Sequence, residues 1–247
     1  SHDGTLERIS DGCDQLCDFT LADLKKLNIG IKHGWQVSFC TASEVFEHFA
    51  NKLTFNIHLK EHGENGYLIR ELLHLAEKYN AMVMVDESHS AGVVGQTGRG
   101  TTELHNLRGK IEIITGTLGK AFGGAIGGFT TGKKEIIAML RQRSRPYLFS
   151  NSIPPMVAAA GCAMFDMMAR TNELQDKLHA NTEYFVAKMK EAGFDIKPTQ
   201  SAICAVMLYD AKLSQQMAEK LLDEGIYVVG FYYPVVPKDQ ARIRVQI

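Results

Sequence analysis

The sequence lacks the features that mark several classes of protein. No apolar run approaches the roughly 20 residues that a membrane-spanning helix needs. The 27 basic residues and 28 acidic residues nearly cancel, which leaves a formal net charge of −1. Such a chain has no electrostatic reason to bind nucleic acid or an anionic membrane. Its first twelve residues are polar and acidic, so they predict neither a signal peptide nor a transit peptide.

Cysteine is also scarce, with an odd count of five at scattered positions. An odd number in a chain of this length predicts reduced thiols in an intracellular protein, in the cytosol or the mitochondrial matrix. Cys13 and Cys17 lack the second close pair that a structural zinc site requires, so no metal site is expected there.

The remaining composition is that of a folded globular protein, with 45% hydrophobic and 22% charged residues among 247. Apolar periodicity predicts helices at 67–79, 133–143, 154–169, 173–192 and 211–224, and strands at 81–85, 111–115, 126–131, 202–208, 226–229 and 243–246. This order predicts a larger α/β domain over 1–169 and a smaller α+β domain over 170–247. Residues 1–66 carry weaker patterns: a helix at 21–27, a strand at 35–40, and an ambiguous segment at 46–59.

The sharpest local motif is VDESHSAG at residues 85–92. An apolar strand ends in Asp86, and ligands of open α/β sheets collect at the carboxyl ends of strands. The carboxylate of Asp86 could face a buried cationic ring, and His89 could reach a second polar atom of that ring. A loop-capping Asp and a surface His explain the motif equally well.

A second motif, TGTLGKAFGG at residues 115–124, follows another apolar strand. Its glycines allow backbone conformations that side chains would block, and its hydroxyl and N–H groups are typical of phosphate-binding loops. Partial desolvation would make Lys120 a usable amine for Schiff-base chemistry. A glycine-rich loop with a lysine is weak evidence for a site when it occurs alone. Its occurrence after a strand that follows the Asp86 motif makes that evidence stronger.

Two arginine-containing segments complete the pattern. Arg141, Arg143 and Arg145 either bind phosphates or complement the end of a helix that Pro146 stops, and Ser150 and Asn151 follow in a polar loop. Near residue 247, Arg242 and Arg244 alternate with apolar residues and therefore point to one face of a strand. An arginine held in this way is suited to bind a carboxylate with two hydrogen bonds. An isolated pair of arginines is, however, more often found on a solvent-exposed edge strand.

Taken together and in this order, these motifs resemble the α-oxoamine synthase family of fold-type I pyridoxal-phosphate enzymes. The resemblance runs from about residue 66 to 247 and includes the segments 85–92, 95–100, 114–132, 140–155, 192–194 and 230–247. It implies a partial large domain of mostly parallel sheet, a small C-terminal α+β domain, and pyridoxal 5′-phosphate as cofactor. Within the family it points to condensation of glycine with acetyl-CoA to give 2-amino-3-oxobutyrate and CoA.

The resemblance also assigns roles. Lys120 corresponds to the lysine that holds the cofactor, Asp86 to the acid that pairs with its pyridine nitrogen, and His89 to the partner of its phenolic oxygen. Arg244 corresponds to the arginine that binds the amino-acid carboxylate. The other cofactor-binding positions that it implies are Glu87, Ser88, Thr117, Leu118 and Gly119, with Ser150 and Asn151 reaching the cofactor of a second subunit in a homodimer.

The chain departs from the family in its first third. Only 85 residues precede Asp86, residues 1–66 match poorly, no serine occurs in EHGENG (61–66), and no histidine is assignable to ring stacking, with His2 left open. The family pattern also continues past Ile247, so a truncated small domain is expected. The alternatives are another α-oxoamine synthase, with a different amino acid or acyl-CoA, and an inactive fragment that only dimerises.

Overall fold

A computed structural model of the chain describes residues 6, 9–14, 16–49, 52–53, 67–124 and 126–247. The chain divides into two compact units, Ser1–Ala81 and Met82–Ile247. This division differs from the domain boundary expected near residue 169, which stays a prediction. Within the described residues, no helix is long and apolar enough to cross a bilayer.

The first unit is helical in its described part. Two short 3-10 helices, Leu16–Asp18 and Ile31–His33, accompany α1 (Leu21–Leu24), α2 (Ala42–Phe49) and α3 (Tyr67–Lys78). The helix predicted at 67–79 is confirmed, and the one predicted at 21–27 is shorter than expected.

The strand predicted at 35–40 is wrong. No strand forms there, because no described strand pairs with this segment, and Trp35 and Val37 are 64% and 42% exposed. The aromatic ring of Phe46 instead packs α2 against the end of α3, with its centroid 5.5 Å from that of Tyr79. His2 and the segment 54–66 lie outside the described residues.

The second unit begins with a mixed sheet of three strands in the order β1 (Met84–Asp86), β2 (Ile113–Thr117), β3 (Gly128–Gly132). Strands β1 and β2 are parallel, with Asp86 opposite Thr115, and β3 runs antiparallel to β2. All three predicted strands are present, each beginning two or three residues later than expected. The connecting and following helices are α4 (Thr101–Leu104), α5 (Lys134–Arg143), α6 (Arg145–Phe149) and α7 (Pro155–Arg170).

Pro146 was expected to stop a helix, and this is wrong in part. Helix α5 ends at Arg143, but Pro146 then lies in the first turn of α6. Proline fits a first turn because its missing N–H would have no partner within the helix there.

An antiparallel sheet of four strands forms the C-terminal part, in the order β4 (Ile196–Lys197), β5 (Ile203–Tyr209), β7 (Ala241–Gln246), β6 (Val229–Phe231). Helices α8 (Glu173–Glu191) and α9 (Ala211–Asp223) contribute to its core, which is centred on Ile196, Val206 and Ile243. This is the small α+β architecture expected from the sequence. Because side chains alternate along β7, Arg242 and Arg244 lie on the face opposite Ile243.

Candidate active site

Strand β1 ends in Asp86, and the turn that follows holds its carboxylate in place. One oxygen, Oδ1, accepts hydrogen bonds from the backbone N–H of Ser88 at 3.0 Å, the Ser88 hydroxyl at 2.5 Å and the Thr115 hydroxyl at 3.3 Å. The Ser88 hydroxyl is the main reason that the pKa of Asp86 lies below its ordinary value, against an opposing contribution from burial. A carboxylate so stabilised remains charged and is suited to face a cation.

His89 lies three residues further on, and its pKa depends on the charges around it. Partial burial is the main cause that lowers the pKa of His89, and the positive charges of Lys120 and Arg244 lower it further, while Asp86 opposes them. Interactions between exposed charges fade over a Debye length of about 10 Å. His89 and Lys120 line the same cavity, and the charges of Asp86 and Arg244 are near enough to affect the pKa of His89.

The loop that carries Lys120 turns back towards β3. The Thr117 hydroxyl donates to the Gly127 carbonyl at 3.1 Å and accepts from the Gly119 N–H at 3.1 Å. At the end of β2, Gly116 leaves room for the Phe129 ring, which a Cβ at that position would approach to 2.4 Å. The loop is thus held by its own backbone and by the Thr117 hydroxyl.

The partial desolvation considered for Lys120 is not seen among the described residues. Lys120 is exposed, as are its neighbours Gly119 and Ala121, which are too small to cover its ammonium group. Its amine is therefore accessible to a ligand without prior opening of the loop.

A cavity of about 570 Å³ opens beside these residues, a size typical of small-molecule sites. Ser88, His89 and Lys120 give it a polar side, and Met164, Met167 and Met168 of α7 give it an apolar side. The α7 methionines were not among the residues that the sequence predicted for a site. No local motif in the sequence indicated that they would line this cavity.

Arg244 is held on β7 between Ala205 of β5 and Val229 of β6. Its guanidinium carbon lies 5.7 Å from the centroid of the Phe231 ring. Its Nε is buried and has no hydrogen-bond partner in the part of the chain that the structure describes. A buried donor without a partner is costly, and a bound carboxylate would satisfy it.

Four of the residues predicted to form the site, Ser88, His89, Gly119 and Lys120, line this cavity. The others are not part of its lining: Asp86, Glu87, Thr117, Leu118, Ser150, Asn151 and Arg244. Ser150 and Asn151 are exposed beyond the end of α6. Leu118 is 5% exposed and packs towards Gly161 of α7, and Glu87 is 2% exposed. Their assignment to cofactor binding rests on the resemblance alone, and the burial of Glu87 argues against a direct contact between its side chain and a cofactor.

Comparison with known proteins identifies the family. The family model of aminotransferase class I and II matches residues 68–247. The chain is 54% identical over 173 residues to 2-amino-3-ketobutyrate coenzyme A ligase of Escherichia coli K12, covering 70% of this chain and 44% of that protein. It is 49% identical over 179 residues to the human mitochondrial protein of the same name, covering 72% and 43%.

Solved structures agree with this result. Serine palmitoyltransferase from S. paucimobilis superposes with a TM-score of 0.66 at 34% identity, over 72% of this chain and 45% of that one. The chain therefore spans less than half the length of each of these three relatives. It belongs to the aminotransferase class I and II family with the fold of type I pyridoxal-phosphate transferases, and within that family to the α-oxoamine synthases.

Proposed function

We propose that this chain carries the lysine-bearing part of an acyltransferase that condenses glycine with acetyl-CoA to 2-amino-3-oxobutyrate and CoA. The observation that carries the proposal is that Lys120 and His89 line one cavity in a chain 54% identical to 2-amino-3-ketobutyrate coenzyme A ligase. Threonine breakdown, in which the reaction runs in reverse, is the metabolic setting that we infer from that name.

The residues present fit pyridoxal phosphate, the cofactor of this family. Lys120 offers an accessible amine beside the cavity, and Asp86 offers a carboxylate whose pKa is held low enough to face a protonated ring nitrogen. His89 lines the same cavity and supplies a hydrogen-bonding group. The Thr117 hydroxyl and the Gly119 N–H, now bonded to each other, would be the phosphate ligands.

The chain's own residues account for binding and proton transfer. The unpartnered Nε of Arg244 would bind the glycine carboxylate and orient the amino acid in the site. The Lys120 amine would take a proton from the glycine Cα, and the bound cofactor supplies the electron sink for the charge that remains. A carbon–carbon bond then forms between that Cα and the acetyl carbon, the carbon–sulfur bond breaks, and CoA leaves.

A homodimer with shared sites is part of the proposal. Ser150 and Asn151 are exposed, and next to them Tyr147 and Phe149 of α6 are 60% and 80% exposed. Exposed aromatic groups beside polar donors are typical of protein interfaces. A second subunit would bury these rings and receive the two polar side chains. The name of the human relative supports a mitochondrial location if the source is eukaryotic.

The experiment is a pyridoxal-phosphate titration of the purified chain. Covalent attachment at Lys120 should give a new visible absorption band and, after borohydride reduction, a mass increase equal to one reduced cofactor. Lys120→Ala should lose both signals, and Lys133→Ala, a change at an exposed lysine before α5, should keep them. Absence of a Lys120-dependent adduct would refute the proposal.

A second candidate function is that of another α-oxoamine synthase, which the similarity to serine palmitoyltransferase favours. A substrate panel separates the two. The chain loaded with cofactor is mixed with glycine or serine, and then with acetyl-CoA or palmitoyl-CoA, and released CoA is measured by chromatography. Turnover of glycine with acetyl-CoA supports the proposal, and a preference for serine with palmitoyl-CoA replaces it.

A further inference from the structure

Glu87, between Asp86 and Ser88, carries a carboxylate that is almost completely buried, with 2% of the residue exposed. One oxygen, Oε2, accepts hydrogen bonds from the Ser90 hydroxyl and from the Thr101 N–H at 3.0 Å. The other, Oε1, accepts from the Thr101 hydroxyl at 2.6 Å and the Thr102 N–H at 3.1 Å.

These four donors fill the hydrogen-bonding capacity of the group. An ionised carboxylate only accepts hydrogen bonds and has about four lone-pair positions. Gly100 leaves space for it, since a Cβ at Gly100 would lie 2.5 Å from Oε2. No oxygen of Glu87 therefore remains for a ligand.

The backbone of Glu87 makes hydrogen bonds to β2 and within the turn that contains His89. Its N–H donates to the Thr115 carbonyl of β2 at 2.8 Å. Its carbonyl accepts from the Ser90 N–H at 3.0 Å and the Ala91 N–H at 2.8 Å, which closes the turn that contains His89. The side chain joins this turn to the beginning of α4, a segment that itself bears no predicted site residue.

We propose that Glu87 is a positioning residue: its carboxylate ties the Asp86–His89 turn to α4 and thereby fixes the carboxylate and imidazole that hold the cofactor, without touching it. The effect of Glu87 on cofactor binding rests on the proposed function. The structural part of the proposal, the fixing of the turn, holds for the chain alone.

The test compares Glu87→Gln with Glu103→Gln. An amide at position 87 turns a donor towards one of the two α4 N–H groups, which cannot accept, so the tie is broken without a large change of volume. Glu103 is the matched control because it also accepts several bonds, from the Thr97 N–H and hydroxyl and the Arg99 N–H, on the same α4. It does not bond to the Asp86–His89 turn through any of these donors.

The first readout is the pKa of His89, which is measured by NMR. The variant His89→Gln identifies the signal of this histidine. Partial burial is what chiefly lowers this pKa, so a released turn should raise it towards the ordinary value in Glu87→Gln. The second readout is the dissociation constant of pyridoxal phosphate, expected to rise about tenfold or more, as for loss of a hydrogen bond to a charged group. Glu103→Gln should lower Tm. It should leave the pKa of His89 unchanged and the dissociation constant within about twofold of wild type.

The proposal is overturned if the two variants lose similar amounts of Tm and also change both readouts equally. That result would show a general structural role for Glu87. If Glu87→Gln does not fold, Thr101→Val and Thr101→Ser replace it, because only the serine keeps the hydroxyl bonded to Oε1. The valine should shift the His89 pKa upwards and the serine should restore it. If wild type does not bind the cofactor, the proposed function fails, while the His89 titration still decides the positioning role.

Discussion

Gly92 lies where the loop of His89 meets the loop of Lys120, and a methyl group added there should cost a predictable amount of stability. A Cβ on Gly92 would lie 2.6 Å from Cε1 of Phe122 and 3.3 Å from Cβ of Ala121. Both distances are shorter than ordinary van der Waals contact. The backbone φ of Gly92 is +88°, in the region that disfavours side chains.

Two penalties follow for Gly92→Ala. Left-handed backbone costs an L-residue about 1–2 kcal/mol, and overpacking of a formed contact costs about 1–3 kcal/mol. Gly109 separates them, because its φ is +79° and a Cβ added to it would meet no described atom within 4 Å beyond its chain neighbours. Gly109→Ala should therefore pay only the backbone cost, and both variants share the same effect on the unfolded chain.

The assay is urea unfolding at equilibrium, with the free energy of unfolding extrapolated to water. Gly92→Ala should lose about 1–3 kcal/mol more than Gly109→Ala. In a Phe122→Ala background most of the extra loss should disappear, because only the longer contact with Cβ of Ala121 remains, and the cycle then measures the coupling. Equal losses for the two alanine variants in the wild-type background would refute the contact between the two loops.

Two further predictions concern the same region. In Ser88→Ala, the pKa of Asp86 should rise towards its ordinary value, because the hydroxyl bond that chiefly lowers it is lost. The lowered pKa stabilises the fold above the unfolded pKa of about 3.9, and this contribution is lost as pH falls through the folded pKa. The variant should therefore be less sensitive than wild type to acid in that range, as measured by Tm against pH, and an unchanged profile would contradict the assignment. Leu118→Ala should lose about 2–5 kcal/mol in urea unfolding, because Leu118 is 5% exposed and packs near Gly161; a loss under about 1 kcal/mol, typical of surface changes, would contradict that packing.

The five described helices of ten residues or more were predicted closely because their periodicity is local, whereas strand limits depend on a distant partner. The short helices α4 and α6 were missed. The strand expected at 81–85 instead spans Met84–Asp86, since Met84 is the first residue that pairs with β2. Before it, the Val83 N–H donates to the side chain of Glu112 at 2.9 Å. Similarly, β6 begins at Val229 opposite Arg244, and the apolar residues Ile226 and Tyr227 before it are 52% and 80% exposed.

Gly116 shows why the strand with the lysine loop was placed too early. A glycine after an apolar run predicts a loop, yet Gly116 lies inside β2, paired with Phe129 of β3. The Phe129 ring covers the space that a side chain would need. That contact joins residues 13 positions apart, so the local sequence gives no sign of it.

The positions of Asp86, His89, Lys120 and Arg244 at or after strand ends could be predicted because each lies in a recognisable motif, and their roles stay predictions. The buried state of Glu87 could not be predicted, because its four donors come from Ser90, Thr101 and Thr102, and an acid beside Asp86 looks in sequence like a second ligand. The exposure of Lys120 was also missed. Glycine and alanine neighbours suggest a covered site in sequence, but in space they provide no atoms to cover an amine.

The group expected to recognise a carboxylate and the group expected to move a proton belong to different sheets. Arg244 extends from the four-stranded sheet, whose core is formed with α8 and α9, while Lys120 follows a strand of the three-stranded sheet. If Arg244 and Lys120 have the proposed roles, packing around Ile243 would influence the distance between them. Selection for a longer or shorter amino acid could act on that distant hydrophobic core and leave every residue that contacts the ligand unchanged.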